Sequence, residues 1–93
     1  MPADLIEKVV RYEDMLKRAL QKAKYSPIPD SHMYAVAEDY HTMAEAYYRD
    51  GLYFLEQEDP VNALVAFSYG HAWLDAGAKL GVFAVDDETL FTI

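Results

Sequence analysis

The sequence predicts an all-α fold, an up-down-up three-helix bundle with a short C-terminal tail. Three observations predict it. Residues 59–81, DPVNALVAFSYGHAWLDAGAKLG, read as a helix that is apolar around far more than half its circumference, so it needs neighbours on two sides. Two further helical patterns precede it, joined by segments of only a few residues, which makes consecutive helices antiparallel neighbours. No cysteine is present, so disulfides, thiolate nucleophiles and cysteine-ligated metals are all excluded, and packing alone must hold the chain.

Helix 1 is expected over about residues 5–25. Asp4-Leu5-Ile6-Glu7 matches the capping-box pattern, and Leu5, Val9, Tyr12, Leu16, Ala19, Leu20 and Ala23 form one apolar line opposite the charged residues. Lys22 and Lys24 suit its negative end. Ser26-Pro27-Ile28-Pro29 stops it, because each proline disfavours a helical conformation in the residue before it. Helix 2, about residues 31–57, starts at a cap supplied by Asp30 or Ser31. Its core line is Met33, Val36, Ala37, Tyr40, Ala44, Tyr47, Gly51 and Phe54.

Helix 3, about residues 60–81, is the central element. Asp59 accepts from the first free amides, and Pro60 fills the first helical position, where no N–H is missed. At 100° per residue, Ala63, Leu64, Phe67, Gly70, Leu74 and Ala78 form one apolar stripe, and Ala66, Tyr69, Trp73, Ala76 and Leu80 form a second. Together they span roughly 240° of arc, against the little over 100° of an ordinary surface helix. Gly70, Gly77 and Gly81 each carry a helix-propensity cost of about 1 kcal/mol if interior, which points to close packing. The tail, residues 82–93, is rich in apolar side chains that either dock on the bundle or meet another chain, docking being the favoured expectation. Its acidic cluster, Asp86-Asp87-Glu88, is placed to cap a short final turn.

Ninety-three residues make one domain, 1–93, and 53% hydrophobic composition puts the chain far from disorder. The net charge is −8. Residues 1–25 carry six Lys or Arg against four acids, so they are +2 and the remainder is −10, which suits helix 1 to lie against the rest. An acidic chain argues against nucleic-acid binding, which draws on Lys and Arg clusters. MPADLIEKVV has neither a basic leader nor an apolar core, and Asp75 and Lys79 interrupt the G-x-x-x-G run, so a signal peptide and a membrane span are not expected. A cytoplasmic location fits these features.

Gly51, Phe54, Ala63, Phe67 and Gly70 have the spacing of a tetratricopeptide repeat, which the helix 2–helix 3 hairpin therefore resembles over about a third of the chain. Asp75 stands where that repeat has its terminating proline, so the likeness is read as shared hairpin packing. A wider likeness rests on Asp50-Gly51, on Asn62-Ala63-Leu64-Val65-Ala66-Phe67-Ser68-Tyr69, and on Trp73-Leu74-Asp75-Ala76-Gly77 before Leu80-Gly81. These residues are similar to the archaeal domain-of-unknown-function 357 family. The resemblance implies a spectrin-repeat-like three-helix bundle of cytoplasmic archaeal origin, and it implies no activity.

Candidate chemistry is sparse. Glu38-Asp39-Tyr40-His41 has the E-x-x-H spacing of di-iron bundles, but only one copy occurs, and Glu38, His41 and Glu45 project away from the helix 2 core line toward solvent. His71 and Asp75 stand one turn apart on helix 3, where a carboxylate can orient an imidazole, and with Asp50 they form the candidate polar site. A structural i, i+4 pair is the simpler reading. No positioned nucleophile or phosphate-cradling glycine loop accompanies them, so no catalytic residue, metal ligand or cofactor is assigned.

The candidate interface is Tyr69, Trp73, Ala76 and Leu80, with Phe83, Leu90 and Phe91 of the tail. Aromatic-rich, charge-poor faces are what interface centres look like. The favoured function is accordingly a non-enzymatic protein-protein interaction or oligomerisation module, its partner another protein or its own copy. A metal-binding or enzymatic site on His71, Asp75 and Asp50 is the alternative. A further one is an accessory bundle resembling HEPN proteins without nuclease activity, since Arg49 lies 22 residues before His71 instead of a few.

Overall fold

The computed structural model describes residues 4–87 and 89–91. Three helices, α1 (Leu5–Lys22), α2 (His32–Glu56) and α3 (Pro60–Leu80), pack as an all-α bundle, with two short strands, β1 (Lys24–Tyr25) and β2 (Phe83–Ala84). Asp4 caps α1 by accepting from the Glu7 amide at 3.1 Å, and the Glu7 carboxylate pairs with Arg11 at 3.2 Å. The helix ends at Lys22, three residues before its expected limit. There Ala23 turns extended, and Lys24 and Tyr25 pair antiparallel with Ala84 and Phe83. Pro27 keeps Ser26 out of the helical conformation, and the tail offers the two residues ahead of it partners. Ser26 completes it, its amide donating to the Val82 carbonyl at 3.0 Å and its hydroxyl to the Gly81 carbonyl at 2.5 Å.

Ser31 supplies the α2 cap, accepting from the Tyr34 amide at 3.1 Å, while Asp30 occupies a left-handed turn at φ 68°. Ala37, Ala44 and Gly51 are the buried residues of α2. Small side chains bring α3 close. Glu58, at φ 57°, makes the reversal, and Asp59 caps α3 through the Asn62 amide at 3.1 Å. Gly81 ends α3 at φ 91°, a left-handed conformation that glycine adopts without a Cβ penalty.

Helix α3 packs against both other helices, whereas α1 and α2 meet less extensively. Its buried side is Ala63, Ala66, Phe67, Gly70, Leu74 and Gly77. Phe67, Leu16, Leu74, Val9 and Val82 are the largest fully buried side chains, and no buried residue among those described is polar or charged. The Cα envelope measures 43 × 26 × 16 Å, a slab in which α3 has an outer side.

The described part of the tail, residues 82–87 and 89–91, docks in cis; Glu88, Thr92 and Ile93 lie outside the described residues. Phe83, Leu90 and Phe91 are each only 3% exposed, so these three are not free for another chain. Asp87 holds the last turn by accepting from the Thr89 amide and hydroxyl, and Lys22 reaches it from α1 at 2.8 Å. Hydrogen bonds from Lys22 and Thr89 hold the Asp87 carboxyl well below the usual carboxylate range.

The expectation that Glu38, His41 and Glu45 all face solvent fails for His41. Its Nε2 lies 3.1 Å from the Leu20 carbonyl, a free acceptor near the end of α1, and its Nδ1 lies 2.9 Å from Glu45. The ring also sits edge-on to Tyr25 and Phe83. His41 therefore fastens α2 to the α1 terminus and the strand pair. The structural use is that of His41 with Glu45, and Glu38 takes no part in it.

Candidate functional site

Two regions carry the residues that the sequence singles out. The first lies between α1, α3 and the tail, where a recess of about 320 Å3 is lined by Tyr12, Met15, Ser68, His71, Ala72, Asp75, Thr89, Leu90 and Phe91. His71 Nε2 donates to the Leu90 carbonyl, and the same atom is 3.8 Å from the Asp75 carboxylate. The ring is 6.4 Å from that of Phe91. Its Nε2 is thus committed to a backbone acceptor, which fastens the tail to α3. Asp50 is exposed on α2 and forms no part of this lining, so the three polar candidates are not brought together. Among the described residues, no group of three or more His, Asp or Glu side chains is arranged to hold a metal ion.

The second region is the outer face of α3. Successive helix positions place Val61, Val65, Ser68, Ala72, Ala76 and Lys79 along the side opposite Gly70 and Phe67, with Tyr69 and Leu80 beside them. Val61 and Tyr69 are each 58% exposed, Leu80 52% and Val65 47%. Ala76 is exposed too, and Trp73 is half-buried. Lys79 is the one exposed charge among the described residues of a face more than five turns long.

Aromatic residues of α2 border this face. Tyr47 stacks on Tyr69 with centroids 5.6 Å apart and planes at 24°, and Tyr40 meets Trp73 edge-on at 5.0 Å. Shallow apolar grooves flank Tyr69, one lined by Leu64, Val65, Ser68 and Ala72, the other by Tyr47, Ala72, Trp73 and Ala76. Of the second stripe read from the sequence, only Ala66 is buried. The seven interface candidates therefore separate. Tyr69, Trp73, Ala76 and Leu80 are open or half-open, and Phe83, Leu90 and Phe91 are enclosed.

Sequence reasoning missed three polar contacts of the α1 side: His41 on Leu20, Lys22 on Asp87, and Tyr48 donating to Glu13 at 2.8 Å. Burial and the Glu13 carboxylate push the Tyr48 hydroxyl up to about 12. The strand pair did carry a signal, the β-favouring Val82-Phe83-Ala84-Val85 run directly after a helix-ending glycine.

What fold and surface define together is a small three-helix bundle whose central helix keeps an apolar, nearly charge-free outer side. The chain belongs to the family described as Protein of unknown function (DUF357), which it matches over residues 11–83, from the first half of α1 to the first residue of β2. No match was found among curated proteins or among solved structures. No helix of the described residues is long and apolar enough to cross a membrane.

Proposed function

We propose that this protein is a non-enzymatic interaction module that packs the outer face of α3 against an apolar helical surface of a polypeptide. One observation carries the reading: Val61, Val65, Tyr69 and Leu80 stay about half exposed along a single helix side that is nearly free of charge, in a chain of net charge −8. Contiguous apolar patches rimmed by polar residues mark interaction sites more often than they mark ordinary surface. A cytoplasmic setting accords with the cysteine-free composition.

A photo-crosslinking amino acid at position 69, compared with one at Arg18 on the exposed side of α1, tests this in cells. A discrete adduct at position 69 that disappears with Ala72→Glu is the expected result. Absence of any adduct specific to position 69 overturns the proposal.

A further inference from the structure

We infer that the occupant of this face is a second copy of the chain, its α3 running antiparallel across the first. The inference rests on the interaction reading above and adds the partner's identity. Three features of the face select a copy of itself.

The first is shape. A two-fold axis passing near the middle of α3 sets residues whose numbers add to 141 opposite one another, so Tyr69 meets Ala72, Val65 meets Ala76 and Val61 meets Leu80. In the first two pairs a bulky side chain faces a small one, and the grooves beside Tyr69 are floored in part by Ala72 and Ala76. A self-complementary interface requires such large-to-small pairing about its axis.

The second is charge. Lys79 is the only Lys or Arg on α3, and the antiparallel arrangement brings it within about one helical turn of the partner's acidic reversal at Glu58 and Asp59. A parallel arrangement would set Lys79 against its own counterpart. Elsewhere the strongly negative chain repels a copy of itself, so contact is favoured where charge is least.

The third is area. At 1.5 Å per residue α3 offers about 30 Å of length, and the bordering α2 row of Tyr40, Met43 and Tyr47 widens the face to about 20 Å, or roughly 600 Å2 on each copy. The total of about 1,200 Å2 lies at the lower edge of specific interfaces. A reversible dimer, dissociating at roughly micromolar concentration, is the consequence.

Sedimentation equilibrium of the purified full chain from about 1 to 200 µM tests the inference. The expected result is a monomer–dimer equilibrium whose dissociation constant rises at least tenfold with Ala72→Glu, an exposed position in a helix that glutamate also favours. Lys79→Glu is expected to weaken the dimer and adding Glu58→Lys to restore it, whereas Glu38→Lys, which returns the net charge equally from an exposed position on α2 away from the face, is expected not to. A strict monomer at 200 µM, a dimer indifferent to Ala72→Glu, or a double charge reversal without restoration each overturns it. Should the chain be monomeric while the adduct at position 69 has the mass of a different polypeptide, the second-copy inference falls and the interaction reading stands.

Discussion

Gly51→Ala should lower the stability of this bundle by about 2 kcal/mol, even though alanine is the better helix former. A methyl group built at position 51 lies 2.2 Å from Cε1 of Phe67 and 2.6 Å from its Cδ1 and Cζ. Ordinary carbon contacts are about 3.5–4.0 Å, so the ring has to retreat by more than ~1 Å. It has nowhere to go, since Phe67 is fully buried. Overpacking costs about 1–3 kcal/mol, and we take the upper end because three ring atoms are struck at once in an enclosed site. The helix-propensity gain of about 1 kcal/mol offsets part of it. The expected net loss corresponds to a fall in Tm of roughly 8–16 °C for a domain of this size. Urea denaturation followed by far-UV circular dichroism measures it. Phe67→Leu removes the obstructing ring, so the double variant should be more stable than additivity predicts by at least about 1 kcal/mol. A Gly51→Ala protein as stable as the parent, or a double variant with no coupling, would refute the claim that Gly51 is present to admit Phe67.

Asp87 has a depressed folded-state pKa, so its contribution is present above the ordinary carboxylate value of about 4 and is lost as pH falls through the lower folded value. Tail contacts should therefore persist from neutral pH to about 4 and weaken only below it, which the Thr89 amide signal in NMR reports, and Asp87→Asn should weaken them at every pH. For Tyr48 the sign is opposite: with its folded-state value raised from 10.0 to about 12, stability should decline as pH rises from 10 toward 12. Tyr48→Phe, costing about 1 kcal/mol at neutral pH, should flatten that alkaline decline in denaturation midpoints. On the open face, Val65→Lys should leave the unfolding free energy of the monomer, measured well below about 1 µM, within about 0.5 kcal/mol of the parent, because the side chain is 47% exposed and lysine suits a helix.

The helices were legible because their signals are local. Asp4, Ser31 and Asp59 cap where they stand, and Gly81 ends α3 in the left-handed conformation that its position announces. The arc of α3 was legible as well, yet which part of it stays open was not. Tyr69 and Ala66 belong to one apolar stripe, and only the placement of α1 and α2 separates the buried one from the exposed one. The α1 terminus was misjudged because its last residues answer to a tail some sixty positions away, which pairs Tyr25 with Phe83. His41 was misread for the same reason, since its partner, the Leu20 carbonyl, is a helix-end group that becomes available only when α1 and α2 meet. In the polar candidate set, spacing brought His71 near Asp75 as expected, but the use of His71 Nε2 depends on where Leu90 comes to rest.

The bundle's geometry accounts for why α3 in particular is left uncovered. Among the described residues, α1 and α2 lie on its inner side and the tail closes the α1–α3 edge, and an arc of roughly 240° exceeds what they enclose. The remainder could have been made polar at little cost to folding, as the small effect expected for Val65→Lys expresses. Valine, tyrosine and leucine stand there instead, at positions where Phe67, Leu74 and Val82 already supply a closed core on the other side. The second antiparallel copy proposed above would give those residues a use, since the large-to-small sequence of the face is one that such a copy complements.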